Sequence, residues 1–79
     1  MKIRVNVMLK EGVLDPQGKA IGHALATLGF KGIDDVRAGK VIELDIAETS
    51  PDKAKEVAKK MAEKLLANLV IEDYSVSVL

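Results

Sequence analysis

The amino-acid sequence predicts an α+β domain, an antiparallel sheet with two helices on one face. Three observations carry that expectation. Apolar and polar residues alternate with a period of two near both ends of the chain and in its middle. Two stretches between these runs carry apolar residues at helical spacing. Each stretch opens on a capping residue followed by proline, Asp15-Pro16 and Ser50-Pro51.

The elements follow in order. Ile3, Val5, Val7 and Leu9 alternate with Lys2, Arg4, Asn6 and Met8, which gives a strand with one buried face, ended by Lys10, Glu11 and Gly12. Asp15 caps a first helix on which Ala20, Ile21, Ala24, Leu25 and Leu28 share a stripe, and Gly29 stops it. Ile33 to Ala38 reads as a second strand, with Ala38-Gly39 as its turn. Ile42, Leu44 and Ile46 then mark a third strand, paired with the second as a hairpin. After Ser50-Pro51 the stripe is Ala54, Val57, Ala58, Met61, Ala62, Leu65 and Leu66, opposite a face rich in lysine and glutamate. Ile71 to Leu79 closes the chain as a strand with Tyr74, Val76 and Val78 on one side. The order β-α-β-β-α-β with right-handed crossovers is the ferredoxin-like plan. Residues 1–79 form a single domain without a linker or low-complexity tract.

Size and composition bound the function. At 79 residues a core is marginal, and domains of this length lean on disulfides, metals or self-association. The chain has no cysteine, which removes disulfides and the usual zinc frameworks and leaves oligomerisation. Twelve basic and twelve acidic residues balance, so binding to nucleic acid by phosphate neutralisation alone is not expected. The sheet face away from the helices carries Arg4, Asn6, Glu43, Asp45, Ser75 and Ser77, without the aromatics an RNA-reading sheet needs. Lys2 and Arg4 interrupt the apolar N-terminal run, and no stretch approaches a membrane span. A soluble, cytoplasmic protein is expected.

No set of residues converges on catalysis. His23 is the only histidine and lies off the first helix's apolar stripe, which excludes a two-histidine site and favours a surface role. Asp34 and Asp35 are adjacent, and on a strand they point to opposite faces. The run Gly12 to Lys19 fails as a phosphate loop, because five residues separate its glycines and Ala20 follows the lysine. Gly18, Gly22 and Ala26 fall four apart on the first helix. Glycine inside a helix costs about 1 kcal/mol relative to alanine, so this strip predicts a backbone passing close by. The neighbour is either the same chain or a second protomer, and the strip is the candidate dimer-packing surface.

Four segments taken together resemble one family. They are GVLDPQGKAI from Gly12, LGF at Leu28 to Phe30, VRAGKVIELDI from Val36, and KLLANLVIEDYSV from Lys64. In order and spacing they are similar to the PurS family, the small subunit of phosphoribosylformylglycinamidine synthase, over nearly the whole chain. Leu69 stands where the family pattern carries proline. The resemblance implies a subunit of an ATP-dependent carbon–nitrogen ligase of purine biosynthesis. That enzyme converts formylglycinamide ribonucleotide, ATP and glutamine to formylglycinamidine ribonucleotide, ADP, phosphate and glutamate. It implies partners, a glutaminase subunit and a large synthetase subunit, which this chain joins while helping ammonia pass between them. It implies no catalytic residue and no cofactor on this chain; the complex uses ATP and Mg. It also implies a homodimer or tetramer, with the first helix and following strand exchanged about a hinge at Phe30-Lys31-Gly32. Exposure and charge then single out Asp15, Gln17 and Lys19, with Arg37 and Lys40, as candidate partner contacts. The rival expectation is a small-ligand regulatory module of the ACT type, which shares the element order.

Overall fold

The computed structural model describes all 79 residues. Strand β1 (Lys2–Leu9) leads to helix α1 (Pro16–Thr27), strand β2 (Gly39–Asp45), helix α2 (Pro51–Met61), a π-helical turn (Ala62–Leu66) and strand β3 (Glu72–Val78). The three strands form one antiparallel sheet in the order β2-β1-β3. Val5 faces Ile42 on one side and Val76 on the other, so the predicted inward residues do share one face. The α+β class and the ferredoxin-like plan match the expectation.

The core is small and lies between β1 and α2. Ile3, Val5 and Val7 are buried against Ala54, Ala58 and Ala62, with Ala67 beyond the turn. Alanine at every fourth position lets α2 sit low on the sheet, since a larger side chain would lift it. The π turn is closed by the Ala67 amide donating to the Ala62 carbonyl over 2.9 Å, and it carries the chain from the end of α2 toward β3. Both predicted caps form. Asp15 accepts from the Gly18 amide at 2.8 Å, and Ser50 from the Lys53 amide at 3.5 Å. Gly29 takes the left-handed conformation that ends α1, at φ +94°.

Two expectations fail in one region. Residues 33–38 form no strand, and no hairpin turn exists at Ala38-Gly39, because Gly39 already belongs to β2, opposite Met8. The sheet therefore has three strands, not four. Of the two helices expected on one face, only α2 packs there; α1 projects from the sheet and contributes nothing to the core. The physical reason is that 33–38 has no strand edge beside it and lies instead along α1, with Val36 against Gly18 and Gly22. The molecule is correspondingly elongated, with extents of 48 × 25 × 15 Å.

Candidate partner-contact site

Asp15 organises the junction between arm and sheet. Its Oδ1 accepts from the Gly18 amide and its Oδ2 from the Ala38 amide, each at 2.8 Å. One carboxylate thus caps α1 and ties it to the residue that precedes β2. The Gly18 amide, then the Ala38 amide, hold the Asp15 carboxyl below the ordinary aspartate value; the Arg37 guanidinium adds to this against a desolvation push upward. Arg37 itself donates to the Leu9 carbonyl at the end of β1. The Lys10 amide donates to the Ile71 carbonyl, which fixes the chain leaving β1 to the start of β3.

This junction gathers all five predicted contact residues. Asp15, Lys19 and Arg37, joined by Lys10, line an open cleft of about 360 Å³. Asp15, Gln17 and Lys40 line a second cleft of about 210 Å³ on the other side of the carboxylate. The two sequence segments were singled out separately; the bond from Ala38 to Asp15 makes them neighbours. Lys10 was not singled out, and its place becomes visible only once β1 is paired with β3.

The glycine strip resolves into a contact within the chain. A side chain at Gly18 would strike the Val36 carbonyl, and one at Gly22 would meet Val36 Cγ2 at 3.4 Å. The close backbone that the strip predicts is that of residue 36. Ala26 is exposed. His23 is exposed as expected, and it shares a cleft with Asp34 and Asp35. The two aspartates do not diverge to opposite faces, because the strand that would separate them is not formed.

A further surface escaped the sequence reading. Leu44, Val57, Met61, Leu65 and Leu66 line an apolar groove of about 480 Å³ beside α2, flanked by Lys60 and Lys64. Leu65 is 84% exposed and Met61 39%. The apolar face of α1 is also uncovered, with Leu28 at 74% and Ile21 at 39%. The signal was present in the second helical stripe, where larger residues flank the alanines on one side; periodicity alone assigned the whole stripe to the core. The open sheet face is as predicted, with Arg4 paired to Glu43 across β1 and β2 at 3.1 Å. No helix is long and apolar enough to cross a membrane.

Comparison with known proteins identifies the family. The family model described as PurS, phosphoribosylformylglycinamidine (FGAM) synthase, matches residues 2–79. The PurS subunit of Bacillus subtilis is 52% identical over 73 residues, covering 92% of this chain and 86% of its own. The Methanocaldococcus jannaschii PurS structure, a subunit of formylglycinamide ribonucleotide amidotransferase in the purine biosynthetic pathway, superposes with a TM-score of 0.85. It is 43% identical, and 96% of this chain and 92% of that one are covered. A chain of the Thermotoga maritima PurLQS structure superposes with a TM-score of 0.88 at 35% identity, covering 99% of this chain and 95% of that one. These likenesses support the synthase-subunit reading and lend none to the regulatory-module alternative. The chain belongs to the PurS family of phosphoribosylformylglycinamidine synthase subunits.

Proposed function

We propose that this chain is the non-catalytic assembly subunit of the synthase, joining its glutaminase and synthetase subunits in the cytoplasm and assisting ammonia transfer between them. ATP and Mg are then used by the synthetase, not by this chain. The observation that carries the proposal is the match across 99% of this chain to a chain of the Thermotoga maritima PurLQS structure. The junction around Asp15 is the proposed contact surface, because Lys19, Arg37 and Lys40 are exposed around a half-buried Asp15, and backbone bonds hold Asp15 and Arg37 in fixed positions. Reversing Lys19 and Lys40, which line the two clefts without bracing the arm, to glutamate should weaken capture of the two large subunits while leaving this chain folded. Undiminished capture by the folded double variant contradicts the assignment of that surface.

The same proposal makes the working unit a homodimer with exchanged arms. In the ferredoxin-like plan a second strand pairs with the outer edge of β2, and a second helix covers Ile42, Leu44 and Ile46 beside α2. Here that edge is unpaired and those side chains are only half-buried. The arm that could fill the vacancy, α1 with residues 33–38, extends away from its own sheet. Two such chains related by a two-fold axis each supply what the other lacks. Pairing of 33–38 with the partner's β2 would also protect an exposed strand edge from indiscriminate association.

A further inference from the structure

Three contacts brace the base of the arm. Asp15 bridges the first turn of α1 and Ala38, Arg37 reaches the Leu9 carbonyl, and the Val36 carbonyl is seated against Gly18. The chain that leaves the sheet after Lys10 and the chain that returns at Gly39 are therefore joined by all three contacts, and the Asp15 carboxylate is the one that ties the helix cap directly to the residue preceding β2. Without that bridge, the Val36 contact still holds helix and returning segment together, but their attachment to the sheet is left to the Arg37 bond and two chain connections, one of which includes Gly12 at φ +82°.

We propose that Asp15 is a latch that holds the arm outward at a fixed angle, so that the chain is pre-organised to give its arm to a second copy. The proposal rests on the exchanged-dimer reading above. It also moves the pivot of exchange from the Phe30-Lys31-Gly32 segment, which caps the far end of the arm, to its base. Residues 33–38 pack back on α1 through Val36, so α1 and this segment travel as one unit. A partner binding a pre-set arm does not have to order it, and that difference appears in the dimer dissociation constant.

Asp15 has two roles, cap and latch, and substitution separates them. Asp15→Ser keeps one short oxygen, sufficient for the Gly18 amide, and gives up Ala38. Asp15→Ala gives up both. Sedimentation velocity across a dilution series gives the dimer dissociation constant, and far-UV circular dichroism gives the helix content. Asp15→Ser should keep wild-type helix content and raise the dissociation constant about tenfold, the combined scale of two part-buried bonds to a carboxylate, one lost in each protomer. Asp15→Ala should weaken the dimer at least as much and lose helix as well. If Asp15→Ser dimerises as tightly as wild type, the latch is refuted while the exchanged dimer stands. If wild type is itself monomeric at micromolar concentration, the dimer reading fails and the latch fails with it. Should Asp15→Ala not fold, Asp15→Ser alone decides.

Discussion

Truncating Ile21 and Leu28 to alanine should separate the exchanged dimer proposed above without harming the isolated fold. Both residues lie on the apolar face of α1 and outside the core of their own chain. Fully burying a leucine or isoleucine is worth about 2 kcal/mol relative to exposure. Leu28 is 74% exposed and Ile21 39%, so a partner that covers them recovers about 1.5 and about 0.8 kcal/mol. Alanine retains part of that area, so about 1.5 kcal/mol is lost per protomer. A two-fold dimer loses it twice, about 3 kcal/mol, or on the order of a hundredfold in Kd. Alanine is also the better helix former, so α1 is not weakened. Sedimentation velocity over a dilution series measures the shift, and circular dichroism checks the fold. An unchanged dissociation constant refutes the exchanged-arm argument. A double variant that unfolds as a monomer refutes the claim that these side chains contribute nothing to their own core.

Other outcomes follow from the same coordinates. Ala58→Leu, in the fully buried row under α2, should lower stability by about 2 kcal/mol and Tm by on the order of 10 °C; an unchanged melting curve means α2 does not seat as described. Tyr74 donates to Glu63 at 2.9 Å, and that bond, with desolvation, pushes its phenol above the ordinary tyrosine value. As the only tyrosine, with no tryptophan present, it can be titrated by ultraviolet absorbance. A folded pKa raised above the unfolded one gives stability that is present below the unfolded value and lost as pH rises through the folded one, so Glu63→Gln should titrate earlier. Asp15 has the opposite sign: its lowered carboxyl gives stability that is present above the ordinary aspartate range and lost as pH falls through the folded value. The stability difference between wild type and Asp15→Ala should therefore shrink in acid, and a difference independent of pH excludes the carboxylate as its source.

Elements whose partners lie within the chain were legible in the sequence. The alternation in β1 and β3 and the alanine spacing of α2 describe faces that this chain covers by itself. Both caps were legible because capping is local, a side chain meeting an amide three residues on. The segment 33–38 has strand-like residues, but its contacts with Gly18, Gly22 and Asp15 run it along α1 and leave the outer edge of β2 unpaired, and a strand requires a partner that local propensity does not supply. Gly18 correctly announced a close backbone, whose identity as residue 36 needed three dimensions, whereas Gly22 meets only the side chain of that residue. The candidate contact site was legible as two charged segments and not as one place, because the bond from Ala38 to Asp15 spans 23 residues. The groove at Leu44, Met61 and Leu65 was absorbed into a helical stripe whose two flanks meet different surroundings.

Glutamine-dependent synthesis of formylglycinamidine ribonucleotide, assayed with the glutaminase and synthetase subunits in the presence and absence of this chain, tests the central claim most directly. The assembly role predicts that activity with glutamine depends on this chain, whereas activity with free ammonia supplied to the synthetase proceeds without it. Equal glutamine-dependent activity with and without the chain contradicts the account.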